Sequence, residues 1–236
     1  MDRKFRSKKE FTTWNEHMFR KYNNERVYQH PNFLIRYLEK KRVATLLRLA
    51  NIKKDSITLE VGCGEGHILG LVKKGTVHGI DISTIAIKQA KERLRHQNNI
   101  KKISVGDAEH IKYEDNTFNR ILCSEVLEHV EHPERVIAEI ARVAKPKARI
   151  SISFPNEGMI NFCKGTVEKL GGRFYDWFLP GVPHHMEDEW HLHEFSKAYF
   201  KQKVKESKAP LTIIKIKAIP FWFAPLRYVA LCKKKE

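Results

Sequence analysis

The sequence predicts an α/β fold in which a parallel sheet is covered by helices on both faces. The first observation is that short apolar segments alternate with helical patterns between residues 56 and 156, which is typical of such a sheet. The second is the stretch GCGEG at 62–66, directly after the first apolar segment. Parallel sheets bind ligands beyond the carboxyl ends of their strands, so a glycine-rich loop in this position predicts a ligand site.

The segments before the sheet are predicted to be helical. Apolar residues recur at helical spacing over 31–50, and Pro31 is suited to the first turn of that helix. A weaker pattern predicts another helix over 8–29.

Each predicted strand is a short, mainly apolar segment. The strands of the alternating region cover residues 56–61, 76–81, 101–107, 118–125 and 148–156. The helices between them follow the glycine loop from residue 67, cover 83–97 with Ser83 as N-cap, and cover 132–145. A helix over 194–207 and closing strands over 211–219 and 226–234 end the series. Residues 157–190 mix aromatic residues with glycines and prolines, which predicts a lid.

Composition limits the class of protein. The 236 residues, 42% of them hydrophobic, suffice for one domain with additions. There is no apolar run long enough for a transmembrane helix, and the charged residues 1–11 lead into no apolar signal region. The four cysteines are scattered without CxxC spacing, so we expect reduced thiols and a cytoplasmic protein.

The formal net charge of +16 favours anionic partners such as nucleic acid, an anionic membrane surface or an anionic small molecule. Lysine-rich helix faces exposed to solvent explain the charge equally well. We find no DNA-binding motif and no RNP-type RNA motif in the sequence.

Acidic residues around the glycine loop indicate what it binds. The spacing is GxGxG, and His67 stands where the GxGxxG dinucleotide fingerprint has its third glycine. Glu60 would repel a pyrophosphate but attract an ammonium or sulfonium group. Asp81 and Asp107 end the next two strands, where carboxylates can accept ribose hydroxyls and face an adenine amine. The sequence therefore predicts a nucleoside with a cationic tail.

These motifs resemble those of the class I S-adenosylmethionine-dependent methyltransferases. The resemblance rests on LEVGCGEG, GIDIS, GDAEHI and FNRILCSEVLEHVEHPERVIAEIARVAKP, covers about residues 45–155, and continues more weakly to 234. It implies a Rossmann-like seven-stranded sheet in the order 3-2-1-4-5-7-6, with the last strand antiparallel and helices on both faces. The implied parts are an N-terminal helical cap (1–50), an S-adenosylmethionine-binding core (51–156), a lid for the substrate (157–190) and a C-terminal completion of the sheet (191–236).

The resemblance also implies the cofactor, S-adenosyl-L-methionine, and its product, S-adenosyl-L-homocysteine. Carried over by position, Asp81 binds the ribose and Ser124 and Glu125 lie beside the methyl group that is transferred. The other cofactor-binding residues that it implies are Glu60, Gly62, Gly64 and Gly66 around the methionine part, Ile82 on the adenine face, and Asp107 and Ala108 at the adenine edge.

The segment SEVLEHVEH raises the question of a divalent metal ion. Glu125, Glu128 and His129 have ExxEH spacing, and on a helical turn they would share one face. A similar ExxEH occurs in metal-dependent 2′-O-methyltransferases of small-RNA 3′ ends and in O-methyltransferases of ubiquinone biosynthesis. Those families add a later histidine, for which His184, His185, His191 and His193 are candidates.

Two interpretations of this segment stay open. In one, Glu125, Glu128, His129 and His185 hold a metal ion. In the other, no metal is used, since metal-free relatives also carry EVLEH. Glu125, His129 and His191 are the candidate catalytic residues, with either histidine as the general base.

Three classes of function fit the sequence. The first is methyl transfer to a small-molecule, amphiphilic or quinone-like acceptor, with peripheral association with an anionic membrane through AIPFWFAPL at 218–226 and its flanking lysines. The second is RNA 2′-O-methylation with the ExxEH metal site. The third is a non-catalytic binding module on the same fold, against which the complete set of cofactor residues argues.

Overall fold

The computed structural model describes residues 5–21, 30–169, 171 and 190–236. The strands are β1 (Ile57–Val61), β2 (Thr76–Asp81), β3 (Ile100–Val105), β4 (Phe118–Ser124), β5 (Ala144–Pro155), β6 (Leu211–Pro220) and β7 (Pro225–Lys234). The helices are α1 (Lys8–Lys21), α2 (Phe33–Ala50), α3 (His67–Leu71), α4 (Thr84–Arg93), α5 (Pro133–Val143), α6 (Glu157–Glu168) and α7 (Lys197–Glu206), and a 3-10 turn covers Leu127–His129.

The strands form one seven-stranded sheet in the order β3-β2-β1-β4-β5-β7-β6. Strands β1 to β5 pair in parallel, and β7 runs antiparallel to both β5 and β6. The predicted fold class and strand order are therefore confirmed. The carboxyl ends of β1, β2 and β4 meet at one edge, as the position of the glycine loop requires.

Buried apolar side chains cover both faces of the sheet. On one face, Val136, Ile140 and Phe200 from α5 and α7 pack against the strands. On the other face, α2 and α4 contribute residues such as Leu46 and Ile87. The central strands β1, β4 and the second half of β5 are buried on both sides, which explains why they read as apolar runs rather than as alternating patterns, whereas the edge strands β3 and β6 are more exposed.

Several element boundaries differ from the prediction. Helix α2 begins at Phe33 because the side chain of Asn32 accepts a hydrogen bond from Leu34 N and caps it, so Pro31 precedes the cap. Ser83 caps α4 as predicted, accepting from Ala86 N at 3.1 Å, but the helix already ends at Arg93. Residues 157–168, for which no element is predicted, form α6. Residues 22–29 of the predicted first helix lie outside the described part.

No helix in the described segments combines the length and the apolar character needed to cross a bilayer.

A carboxylate on α1 fastens this helix to the start of α4. Glu16 accepts hydrogen bonds from Ser83 Oγ at 2.9 Å, Thr84 N at 2.6 Å and Thr84 Oγ1 at 2.7 Å. Burial by itself raises the pKa of Glu16, but these hydrogen bonds outweigh it, and the pKa lies below its ordinary value of 4.5. A carboxylate beside the first amides of a helix is also stabilised by the helix dipole.

We predict that Glu16→Ala lowers the free energy of unfolding by about 1 kcal/mol at pH 7, because the first turn of α4 loses an acceptor. The pKa of Glu16 is lower in the folded chain, so its contribution is present above about pH 4.5 and is lost as the pH falls through the lowered pKa. Urea unfolding at pH 7 and at pH 3 measures both effects. Glu92→Ala, which removes an exposed pair with Arg95 near the other end of α4, is the control and should change little. An equal loss for Glu16→Ala at both pH values would contradict the assignment.

Candidate active site

A cavity of about 310 Å³ opens at the carboxyl ends of β1, β2 and β4. This volume falls in the range of small-molecule sites. The structure brings into its wall nearly all the predicted site residues that it describes: Glu60, Gly62, Gly64, Asp81, Ile82, Asp107, Ala108, Ser124, Glu125, Glu128, His129 and His191. Their individual roles stay predictions. His185, proposed as a metal ligand, lies outside the described residues.

The glycine loop brings bare backbone to the cavity. Gly62 and Gly64 have φ of +70° and +49°, in the left-handed region that favours glycine. A Cβ at Gly62 would lie 2.2 Å from Cγ2 of Val126, so no side chain fits between this loop and the loop after β4. Cofactor contact was also predicted for Gly66, and here the structure differs. Gly66 is the N-cap residue before α3 and does not line the cavity, and a Cβ there would lie 2.8 Å from Cδ1 of Leu94.

Glu60 places a buried carboxylate in the cavity. It is 1% exposed, and its Oε2 has no hydrogen-bond partner within the described segments. Burial raises the pKa of Glu60 well above its ordinary value; the nearby Asp81 adds to this, and Arg42 opposes it. A ligand cation would supply the missing partner, so the site suits an ammonium or sulfonium group.

Asp81 organises the backbone around it. Its carboxylate accepts from Gly64 N at 2.8 Å and from Ser83 N at 2.9 Å, which ties the glycine loop to the start of α4. Burial raises the pKa of Asp81, although these hydrogen bonds act against the rise. Asp107 is held differently, by an ion pair with Lys8 of α1 at 2.8 Å. Helix α1 therefore covers the side of the cavity that contains Asp107.

Arg42 is a functional residue that the sequence analysis missed. This α2 side chain is buried, and its guanidinium donates to Ser153 Oγ at 2.7 Å, to Ser124 Oγ and to Glu39. It thus joins α2 to the ends of β4 and β5 at the wall of the cavity. The sequence does contain a signal for this burial, because Arg42 lies four positions before Leu46, on the apolar face of α2.

Glu125 stands apart from the rest of the ExxEH segment. Its φ of +53° turns the chain sharply after β4, and its carboxylate pairs with Arg227 Nε at 2.8 Å. The predicted helical turn is a 3-10 turn that covers only Leu127–His129. Glu125, Glu128 and His129 therefore do not share one helical face. The reason is local, because a left-handed residue at 125 cannot continue into a right-handed turn.

Glu128, His129 and His191 come together at the far wall of the cavity. One donor atom of each lies within 4.8 Å of the others. Burial lowers the pKa of His129 well below its ordinary value, and the neighbouring His191 adds to the effect. Burial, Arg227 and Lys164 lower the pKa of His191 to about 3. Both imidazoles are therefore neutral at physiological pH, and each keeps a nitrogen lone pair that a cation could use.

His193, another candidate from the sequence, has a different setting. Its Nε2 lies 2.8 Å from Val130 O and its Nδ1 lies 3.1 Å from Tyr199 Oη. Both ring nitrogens are engaged, and His193 is not in the cavity wall. It connects the segment before α7 to the loop after β4.

Comparison with known proteins agrees with this geometry. Residues 59–152, from β1 through most of β5, match a family model described as a methyltransferase domain. By its strand order and this match, the chain is similar to the class I S-adenosylmethionine-dependent methyltransferases. The family's cofactor carries an ammonium and a sulfonium group, which fit the unpartnered Glu60 oxygen and the bare loop at Gly62.

Proteins with similar sequences act on varied molecules, as their names state. Norajmaline N-methyltransferase of Rauvolfia serpentina is 39% identical over 116 residues, which are 45% of this chain and 40% of the relative. Demethylmenaquinone methyltransferase of Lactobacillus johnsonii is 32% identical over 108 residues, 43% of this chain and 44% of the relative. The matches thus span less than half the length of these two relatives.

A solved S-adenosylmethionine-dependent methyltransferase from Methanosarcina mazei shares the fold. It superposes on the chain with a TM-score of 0.58 at 23% identity, covering 78% of this chain and 94% of that one.

We predict that Asp81→Asn weakens binding of S-adenosyl-L-homocysteine about 10- to 100-fold, the range expected when hydrogen bonds to a charged acceptor are lost. The carboxylate that holds Gly64 N and is predicted to accept the ribose hydroxyls is then gone. Isothermal titration calorimetry measures the affinity. Asp115→Asn, which alters an ion pair with Arg142 outside the cavity, is the control. Unchanged affinity in Asp81→Asn would refute the ribose assignment.

Proposed function

We propose that this methyltransferase transfers the methyl group of S-adenosyl-L-methionine to a small or lipid-like molecule, with a quinone-like ring as one acceptor of this class. The observation that carries the proposal is the single cavity in which the glycine loop and acids line one side and His129, Trp190 and His191 line the other. The cofactor and the acceptor would thus bind against opposite walls of the same small cavity.

The cofactor supplies an electrophilic methyl group, so the chain's task is to align the acceptor and exclude water. Phe11 and Phe19 of α1 line the cavity and are buried, and they supply an apolar cover. Holding two reactants in line can contribute about 7–11 kcal/mol to lowering the barrier. An acceptor hydroxyl must also lose a proton, and the wall opposite the glycine loop holds His129, His191 and Glu128, whose imidazoles and carboxylate can bind a base-activating group or take the proton.

The names of the relatives support a small acceptor. One relative is named for norajmaline and another for demethylmenaquinone. Both names denote small organic molecules, and neither denotes RNA or protein. We therefore propose a small organic acceptor for this chain, without proposing either of these two molecules.

An exposed aromatic surface beside the cavity favours a lipid-like acceptor. We define the aromatic surface by Tyr37 of α2 and by Phe221, Trp222 and Phe223 of the β6–β7 connection. Trp222 is 85% exposed and Phe223 is 64% exposed. The rings of Phe221 and Phe223 stack with centroids 5.3 Å apart, and Trp222 lies 5.7 Å from Phe223.

The same surface carries positive charge. The Nζ of Lys41 lies 5.5 Å from the Tyr37 ring centre and 5.1 Å from that of Phe221, and it connects the two parts of the surface. Lys215 and Lys217 are exposed on the strand that leads into the connection. Aromatic rings flanked by lysines suit the interface of an anionic bilayer. Arg42 of the cavity wall lies on α2 with Tyr37, and Arg227 of the wall lies in β7, which begins directly after the β6–β7 connection.

The class of acceptor is tested by incubating the chain with methyl-labelled S-adenosyl-L-methionine and a cell extract, and then partitioning the products. We expect label in the organic fraction. Label in RNA would instead support the 2′-O-methyltransferase alternative. Absence of label from every fraction, with S-adenosyl-L-homocysteine still bound, would overturn the proposed activity and leave a binding module.

We predict that the chain sediments with vesicles containing phosphatidylglycerol and not with neutral phosphatidylcholine vesicles. Trp222→Ser should lower the affinity about tenfold, because one large apolar side chain no longer enters the bilayer. Phe162→Ser is the matched control, since Phe162 is 71% exposed on α6 and lies outside the aromatic surface. Equal losses in both variants, or binding to neutral vesicles of the same strength, would contradict a role for this surface.

A further inference from the structure

We propose that Glu128, His129 and His191 bind a divalent transition-metal ion at the far wall of the cavity. Their donor atoms lie within 4.8 Å of one another and come from two segments far apart in the sequence. Two imidazoles and one carboxylate on one side of an ion, with the remaining positions open, form a recurrent metal-binding arrangement. This set differs from the sequence prediction, because Glu125 pairs with Arg227 instead.

The two histidines are oriented as metal ligands are. The Nδ1 of His129 lies 3.2 Å from the carbonyl oxygen of Trp190, and the Nδ1 of His191 lies 2.7 Å from Oε1 of Glu157. Each Nδ1 thus donates its proton to an oxygen acceptor, which leaves Nε2 as an unprotonated lone pair. Histidine ligands characteristically have this outer hydrogen bond, to a backbone carbonyl or a carboxylate.

The surroundings of the Glu128 carboxylate also favour a bound cation. Its side chain is fully buried, and neither carboxylate oxygen has a hydrogen-bond partner among the described residues. Burial of a carboxylate without hydrogen bonds or a counter-charge is costly, and such groups usually pair or coordinate a metal. The nearest ring nitrogen, Nε2 of His129, lies 4.0 Å from Glu128 Oε1. That gap leaves space for an ion between the two donors after a shift of about 1 Å, since metal–ligand distances are about 2.0–2.2 Å.

The donor set selects the class of ion. Imidazole nitrogens favour first-row transition ions such as Mn²⁺, Fe²⁺, Co²⁺ and Zn²⁺, whereas Mg²⁺ and Ca²⁺ prefer all-oxygen sites. The role of the ion rests on the proposed function. Positive charge at this wall would lower the pKa of an acceptor hydroxyl, so that its proton leaves to solvent before the oxygen takes the methyl group.

The test uses the full chain, expressed without a histidine tag and freed of metal by dialysis against a chelator. Addition of Co²⁺ should give a visible absorption band that saturates at one ion per chain, with no acceptor present. Glu128→Gln and His191→Asn should abolish the band. Glu157→Gln should weaken Co²⁺ binding about 10- to 100-fold, the range found when an outer hydrogen-bond partner of a ligand is removed.

Two control variants make the result specific. His132→Asn removes a partly exposed histidine of the same loop that is not in the group, and it should leave the Co²⁺ titration unchanged. Glu125→Gln should also retain one ion per chain, which separates this site from the ExxEH set. Because Glu128 is buried, Glu128→Asp serves as a second variant, which keeps the charge but withdraws the carboxylate and should weaken the affinity.

Binding of S-adenosyl-L-homocysteine, measured on the same samples, reports separately on the fold and the cofactor site. The metal site would be refuted if the wild-type chain bound this ligand but took up none of Co²⁺, Mn²⁺ and Zn²⁺. The proposed methyl transfer would then be unaffected. An equal loss of Co²⁺ binding in His132→Asn and His191→Asn would overturn the metal site as well. Failure to bind the ligand would count instead against the proposed function.

Discussion

The carboxylate of Asp81 is the interaction on which the cofactor side of the site depends. It accepts from one amide in the glycine loop and from one amide at the start of α4, so a single side chain positions two backbone segments. The hydroxyl of the same Ser83 caps α4 by accepting a hydrogen bond from Ala86 N, and it donates a hydrogen bond to Glu16 of α1. Helix α1 is therefore placed over the cavity by hydrogen bonds that lead back to the end of β2.

The wall at the ends of β4 and β5 has a comparable centre in Arg42. A guanidinium has five donors, and those of Arg42 reach hydroxyls on two neighbouring strands and a carboxylate on its own helix. Each half of the site thus rests on one charged residue with several hydrogen bonds, which is half-buried for Asp81 and buried for Arg42. A buried charge in this setting is stabilised only while its partners stay in place, which favours a rigid arrangement of the strand ends.

The sheet could be predicted from the sequence because its signals are local. Most of the five parallel strands are apolar runs followed by helices, and the ends of β1, β2 and β4 carry the glycines and acids that line the cavity. Helix ends were less predictable, since Asn32 and Leu94 end their helices through individual hydrogen bonds. Arg42 was missed because charged residues on an amphipathic helix usually face solvent, and burial here arises from partners more than 80 positions away.

The grouping of Glu128, His129 and His191 could not be predicted from sequence spacing alone. ExxEH spacing assumes a helical turn, but the backbone at Glu125 is left-handed and sends its carboxylate towards Arg227. Which of four later histidines approaches Glu128 depends on how the segment before α7 crosses the loop after β4. That crossing is set by pairings such as Leu192 N with Glu128 O at 2.8 Å, which no spacing rule contains.

The contact between Gly62 and Val126 has a mechanical consequence. The valine of the loop after β4 occupies the space that a side chain at position 62 would need. Closely packed groups of this kind transmit displacement instead of absorbing it. A displacement of the loop that carries Val126 would therefore press on the glycine loop. This packing adds a mechanical link between the two loops to the direct pairing of β1 with β4.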